Sequence, residues 1–193
     1  MTTLTAALPN IFSTLEHDHK KCVSKALDTA QHLCVVRGVQ LTPIRLQVLE
    51  LIWDSHKAVK AYDLLDRFKL QQQAAKPATI YRALDFLIEQ GLIHRVESLN
   101  AFVGCNCSEH QHELLLLICK HCHEVDERPA PKVMAVLSEE FSQAGFIAYS
   151  KAIEAQGICL KCQQSQDEQN SLTGRTDLSV NLKPYSVFDL SQD

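Results

Sequence analysis

The sequence predicts an α+β protein in which a helical N-terminal half precedes a smaller half that mixes strand and helix. Helical spacing of apolar residues recurs four times before Gly91, and the pattern then changes to short strand-like runs. The chain has 193 residues with a net charge of −4, which divides into −2 for residues 1–19, +4 for residues 20–104 and −6 for residues 105–193. A nucleic-acid surface would therefore lie in the first half.

Four helices are predicted after a loose polar leader at residues 1–19. Thr42-Pro43 is a strong helix start, because Thr caps the free amides of the first turn and Pro suits the first helical position. Glycine ends the first and fourth helices, at Gly38 and Gly91. Apolar positions at helical spacing place the four helices at about 23–37, 43–53, 61–68 and 77–90.

A β-hairpin is predicted directly after the fourth helix. Leu92–Val96 and Ala101–Val103 read as strands on either side of a turn at Ser98-Leu99-Asn100. Helices followed by such a hairpin make a winged helix-turn-helix domain, here residues 20–104. The fourth helix is its candidate for the recognition helix.

The fourth helix also carries the best candidate for reading bases. Arg82 lies opposite Ile80 and Leu84 on a helix, so it is expected to be exposed, and arginine pairs with guanine through two hydrogen bonds. Tyr62, at the start of the third helix, can reach backbone or base. A lone lysine is usually only a solvated charge, but this fold context favours phosphate contacts from Lys57, Lys60, Lys76 and Arg45.

The second half is predicted to be a small α/β domain at residues 105–163. Leu114–Ile118 reads as a buried strand, Lys132–Ala144 as an amphipathic helix that Gly145 stops, and Phe146–Glu154 as a further strand. Residues 164–193 are rich in Gln, Ser and Asp and have little to bury, so they are expected to form a mobile tail.

Two Cys-x-x-Cys pairs are the strongest chemical signal in the chain. Cys119 and Cys122 are followed by Cys159 and Cys162, and two such pairs on adjacent segments predict a closed tetrahedral Cys₄ site for structural Zn²⁺. The alternatives are two disulfides or two redox pairs. Neither pair opens a helix after a strand in the redox manner, and the chain carries no signal peptide, so a reducing cytosolic location is expected.

A second, looser group of metal-ligating residue types falls between the two halves. Four ligands from separate segments would form a site only when the halves are docked, which is the physical requirement for a sensor. Each residue alone also has an ordinary surface role, and spacing does not say which four would bind. The group comprises His94, Cys105, Cys107, His110, His112, His123, Glu124 and Glu127.

Several runs resemble the ferric uptake regulator family, and they occur in the family's order from about Cys22 to Cys162. The resemblance implies a homodimer whose α/β domains dimerise and whose winged-helix domains bind double-stranded operator DNA. The matching runs are Leu41-Thr42-Pro43-Ile44-Arg45, Ala61-Tyr62-Asp63-Leu64-Leu65, Lys76-Pro77-Ala78-Thr79-Ile80-Tyr81-Arg82-Ala83-Leu84-Asp85-Phe86-Leu87 and the paired Cys-x-x-Cys motifs.

Within the family, the resemblance is to its zinc-responsive branch, which implies repression of zinc-import genes when zinc is bound. It implies two Zn²⁺ per chain: one at Cys119, Cys122, Cys159 and Cys162, and a regulatory one at His94, Cys105, His112 and Glu127. It also places Tyr62 and Arg82 at base-contacting positions. Neither a membrane nor a small-molecule substrate is expected as a partner, and no enzymatic activity is expected.

Other functions are less well supported by the sequence. A sibling sensor of iron, manganese or peroxide is one alternative, but the resemblance implies that iron- and peroxide-sensing members carry a histidine-rich run before Cys119, where this chain has Leu114–Ile118. A thiolate at Cys105 also favours Zn²⁺ over Fe²⁺ or Mn²⁺. A zinc hydrolase or deaminase would need an open catalytic site, and the H-x-E with P-C-x-x-C deaminase pattern is absent from the sequence. A zinc-ribbon interaction module would leave the first half unexplained.

Overall fold

The computed structural model describes residues 19–70, 76–106, 114–148 and 152–173. The first half contains four helices and a two-stranded hairpin, and the second half contains a three-stranded sheet with two helices. In chain order the elements are α1 His19–Val36, α2 Pro43–Trp53, α3 Ala61–Lys69, α4 Pro77–Glu89, β1 Ile93–Val96, β2 Ala101–Gly104, β3 Leu114–Cys119, β4 Val125–Pro129, α5 Pro131–Gln143, β5 Ala152–Gly157 and α6 Leu160–Thr173.

The helix boundaries follow the local chemistry of the sequence. The Thr42 hydroxyl accepts a hydrogen bond from the Arg45 amide at 3.4 Å, which caps α2 as predicted. Gly91, just beyond α4, has a φ of +64°, a left-handed conformation that glycine adopts without a steric penalty. The chain can therefore turn there from the helix into the hairpin.

The core of the first half lies between α2, α3 and α4. Leu49, Leu64, Phe68 and Leu87 are each essentially inaccessible to solvent. Burial of a side chain of this kind contributes about 1.5–3 kcal/mol to stability. The predicted inward face of α4 is confirmed, because its buried residues include Ile80, Ala83, Leu84 and Leu87. The opposite face of α4 is left to solvent.

The second half is built on a sheet with strand order β4-β3-β5. The central strand β3 runs antiparallel to β4 and parallel to β5. A parallel pair needs a long crossover, and α5 lies within it. Leu116 of β3 pairs with Glu127 of β4 on one side and with Glu154 of β5 on the other. Cross-strand partners point to the same face of a sheet, so both carboxylates project from one face.

Three features of the second half differ from the sequence-based expectation. Strand β4 was not predicted, because its Val125–Pro129 segment is mostly charged. Strand β5 begins at Ala152 rather than at Phe146. The first ten residues of the expected mobile tail continue α6, whose first turn already lies within the second Cys-x-x-Cys pair. The expectation that neither pair opens a helix after a strand is therefore wrong for Cys159 and Cys162, because α6 follows β5 directly. A fixed first turn removes the unfavourable nucleation step, so residues with fair helix propensity can extend the helix. Residues 174–193 lie outside the described ranges.

The hairpin packs directly on the sheet. Their contact is a buried apolar group, here termed the junction cluster, that joins the two halves. A backbone hydrogen bond also joins the two halves: the Val125 amide at the start of β4 donates to the carbonyl of His56, which follows α2, at 3.1 Å. Within the described ranges, no helix is long and apolar enough to cross a membrane. The junction cluster consists of Val96, Val103, Leu116, Ile118 and Val125.

Candidate metal centres and nucleic-acid surface

The two Cys-x-x-Cys pairs meet at the end of the sheet, and we term the group they form the knuckle site. Cys119 ends β3 opposite Gly157 of the parallel strand β5, which brings Cys159 and α6 to the same edge. The sulfur atoms of Cys119, Cys122, Cys159 and Cys162 all lie within 4.8 Å of one another.

The geometry of the knuckle site fits a tetrahedral metal. The Cys122 and Cys159 sulfurs are 3.8 Å apart, and all four cysteines are free thiols. Four sulfurs placed 2.3 Å from a central zinc would be about 3.8 Å apart. A disulfide would require about 2.05 Å. The spacing therefore suits a bound metal and not a pair of disulfides.

The thiols of the knuckle site differ in acidity. Burial alone would raise the pKa of Cys119, but hydrogen bonds from the backbone amides of Cys159, Cys122 and His121 outweigh it and lower the pKa to about 6. Burial raises the pKa of Cys122 and of Cys162. The lowered pKa of Cys119 favours its thiolate, the form that binds metals. Metal binding by Cys122 and Cys162 would release their thiol protons.

A second group, here termed the junction site, connects the hairpin to the sheet. His94 lies in β1, Cys105 follows β2 and Glu127 lies in β4, and their ligand atoms are within 4.8 Å of one another. Glu127 Oε1 is 3.4 Å from His94 Nε2 and 3.7 Å from Cys105 Sγ. Tetrahedral zinc with such ligands needs separations of about 3.3–3.6 Å. The three side chains therefore already stand close to a coordinating arrangement.

The junction site is sheltered and oriented by its surroundings. The side chain of Glu127 is 4% exposed and that of His94 is 16% exposed. The second oxygen of Glu127 accepts a hydrogen bond from the Asn106 amide at 2.9 Å, which holds the carboxylate in place. This amide and its role could not be anticipated from the sequence, because any residue type can supply it.

The fourth ligand that the family resemblance implies, His112, lies outside the described residues, as do Cys107 and His110. His123 and Glu124 are described, and neither belongs to the group whose ligand atoms converge at the junction site. The structure thus brings together three of the four implied regulatory ligands, His94, Cys105 and Glu127. It places His123 and Glu124, which the sequence had left as alternatives, outside this group.

Gly104, which directly precedes Cys105, is pressed against Trp53. A Cβ atom at Gly104 would lie 2.3–2.7 Å from atoms of the Trp53 indole, closer than real contacts allow. The Cys105 amide also donates to the Leu92 carbonyl at 3.0 Å. Helix α2, which ends at Trp53, therefore helps to set the position of a junction-site ligand.

The candidate DNA-reading residues lie on α3 and α4 or directly before these helices. Arg82 is exposed on α4, and Tyr62, at the start of α3, is 71% exposed. Lys60 and Lys76 directly precede α3 and α4. Their positive charges reinforce the positive potential at the N-terminal ends of the two helices. Helix N-termini of this kind favour phosphate binding.

Lys57 and Arg45, the other two residues expected to contact DNA phosphates, have different surroundings. Lys57 is exposed and pairs through its backbone with Glu124. Arg45 stacks over the Phe86 ring at 3.5 Å and donates to the Gln40 carbonyl. This stacking was not visible in the sequence, and it gives Arg45 a packing role within the helical domain.

Comparison with known proteins places the chain among metal-responsive regulators. The model of the "Ferric uptake regulator family" matches residues 36–156. The chain is 38% identical over 165 residues to the zinc uptake regulation protein of Escherichia coli (strain K12), covering 85% of this chain and 96% of that protein. The structure of a zinc uptake regulator complexed with zinc and DNA matches at 37% identity with a TM-score of 0.71, over 79% of this chain and 99% of the other. The crystal structure of holo XcZur matches at 40% identity with a TM-score of 0.68, over 72% and 98% of the two chains. The chain belongs to the ferric uptake regulator family.

Proposed function

We propose that this protein is a zinc-responsive transcriptional repressor that binds operator DNA as a homodimer when zinc is bound, and that it represses genes for zinc uptake. The observation that carries the proposal is the junction site, where ligands from the hairpin of a winged helix meet a ligand from the neighbouring sheet. The similarity to a zinc uptake regulator complexed with zinc and DNA supports it.

The mechanism follows from where these ligands are attached. His94 and Cys105 lie in or next to the hairpin, whereas Glu127 belongs to the sheet. When bound, zinc supplies strong bonds to all of these ligands at once. The ligands would then hold the winged-helix domain in one orientation relative to the sheet, and in a dimer two domains so held match two DNA half-sites.

We assign two zinc ions to each chain. The knuckle site has four thiols and no open position, which is typical of structural zinc. The junction site combines thiol, imidazole and carboxylate, a set that suits Zn²⁺ better than Fe²⁺ or Mn²⁺. We assign its fourth position to His112.

The assignment of a homodimer is supported by apolar side chains that the described fold leaves exposed on and after α5. Surface apolar groups of this kind often mark an interface with another chain. They are Val133, Val136, Phe146 and Ile147.

The proposal is tested by operator binding in a panel of metals. Promoter duplexes with AT-rich inverted repeats are titrated with protein in zinc, iron, manganese or chelator. We expect tight binding only with zinc, because the Cys105 thiolate favours it. Equal binding with iron or manganese would make the protein a sibling sensor, and binding that persists in chelator would remove metal control altogether.

A further inference from the structure

The tip of the hairpin is held by a carboxylate from β5, the edge strand of the sheet. Glu154 Oε1 accepts the Glu97 amide at 2.6 Å, and Glu154 Oε2 accepts the Ser98 amide at 3.0 Å. These amides begin the 3₁₀ turn Glu97–Leu99, which has no side-chain cap of its own. Amides at the start of a helical turn have no partner within it, so an anionic acceptor there is favourable. Glu154 thus caps a turn that is more than fifty residues away in the chain.

Glu154 and the junction-site residue Glu127 act on the same hairpin from two strands. Both pair with Leu116 in the central strand and project from the same face of the sheet. The strands that carry them are separated by two strand spacings, or about 10 Å. The hairpin is therefore held near His94 by one carboxylate and at its tip by the other.

The Glu154 carboxylate is half-buried and ionised at neutral pH. Burial alone would raise its pKa, but the hydrogen bonds from Ser98 and Glu97 outweigh this and lower the pKa below its ordinary value. The contact is therefore a pair of charge-assisted hydrogen bonds, which are stronger than neutral ones. It needs no metal.

We propose that Glu154 is a positioning residue that docks the hairpin on the sheet independently of metal, and that it thereby sets the zinc concentration at which the protein responds. The proposal rests on the proposed function, because it concerns the affinity of the junction site. Zinc binds this site only in the docked arrangement, so its apparent dissociation constant is the intrinsic value divided by the docked fraction. Loss of Glu154 lowers that fraction, whereas saturating zinc restores docking.

The test compares the full-length protein with Glu154→Ala and Glu154→Gln. We expect Glu154→Ala to raise the zinc midpoint for operator binding about fivefold or more, a typical size for coupling between sites. Glutamine has one acceptor oxygen instead of two, so Glu154→Gln should have a smaller effect. Operator affinity at saturating zinc and the content of knuckle-site zinc should not change.

A second measurement follows docking without DNA or junction-site zinc. Hydrogen exchange at the amides of Glu97 and Ser98 is measured in protein that holds only its knuckle-site zinc. Exchange should be severalfold faster in Glu154→Ala, since both amides lose their acceptor. Unchanged exchange would show that the contact does not protect the turn and would overturn the proposal.

The matched control is Glu97→Gln, which removes a carboxylate from the same turn but leaves both amides and Glu154 in place. The Glu97 side chain is exposed and forms an ion pair with the nearby Arg95 at 3.2 Å. Its zinc midpoint should stay within about twofold of the wild type, as expected for an exposed ion pair. An unchanged midpoint in Glu154→Ala overturns the proposal. If zinc does not control operator binding even in the wild type, it is the proposed function that fails, and chelator competition at the junction site together with the exchange rates still decides the role of Glu154.

Discussion

Two neighbouring residues, Gly104 and Cys105, show how packing in one half supports a ligand of the junction site. Because a Cβ at Gly104 would overlap the Trp53 indole, Gly104→Ala should destabilise the protein by about 1–3 kcal/mol and displace Cys105, weakening zinc binding at the junction site. Chemical denaturation and chelator competition would measure both effects. Gly157→Ala is the control, since nothing lies within 4 Å of its added Cβ, and it should change stability by no more than about 0.5 kcal/mol. Equal behaviour of the two variants would refute this account of Gly104.

Arg82 and Lys60 are both exposed, but their expected contacts with DNA differ in kind. Arg82 lies on the solvent face of α4, and a bidentate pair with guanine contributes about 1–3 kcal/mol of discrimination. Arg82→Ala should weaken operator binding and relax the preference at one guanine in each half-site. Lys60→Ala should weaken binding to every sequence and reduce the salt slope by about one. Affinities for operator and scrambled duplexes across a salt series would separate the two. Equal losses on both duplexes for Arg82→Ala would make it a phosphate contact.

Among the elements, β5 depends most on the knuckle site. It is an edge strand held by β3 and by the cysteines that follow it. Cys119→Ser or Cys159→Ser should therefore lower the melting temperature, release one zinc per chain and weaken the dimer, since binding of a structural metal contributes to folding. Zinc content, calorimetry and molecular mass in solution would show this. Cys22→Ser is a suitable control, because Cys22 lies outside both groups of ligands. A wild-type melting temperature in Cys119→Ser would mean that the site is not structural.

The elements that the sequence predicted well are those whose burial pattern is regular. The inward face of α4 could be read from Ile80, Ala83, Leu84 and Leu87, and β3 from its run of leucines. In β4, Glu127 occupies the face where an apolar residue would mark a strand, and Asp126 is buried beside Arg128 on the other face. When the polar residues of a strand are functional or ion-paired, the strand lacks the alternation of apolar and polar residues by which it could be predicted.

At the scale of the whole molecule, the least predictable features are the contacts between the halves. The sequence identified His94, Cys105 and Glu127 as candidates among eight, but spacing alone did not select them. The Glu154 contact depends on the register of β5 against β3, and the Asn106 contact uses a backbone amide. Neither contact can be predicted from a sequence pattern, because both depend on the position of the hairpin relative to the sheet.

The central claim is that metal bound between the hairpin and the sheet controls DNA binding. The most direct measurement is the affinity for an operator duplex, with and without junction-site zinc, in the wild type and in Cys105→Ser. The wild type should gain tenfold affinity or more with zinc, since allosteric coupling typically amounts to 5–150-fold. Cys105→Ser should remain a folded dimer with one zinc per chain and bind DNA weakly at any zinc concentration. A Cys105→Ser protein whose operator affinity responds to zinc as the wild type does would contradict the claim.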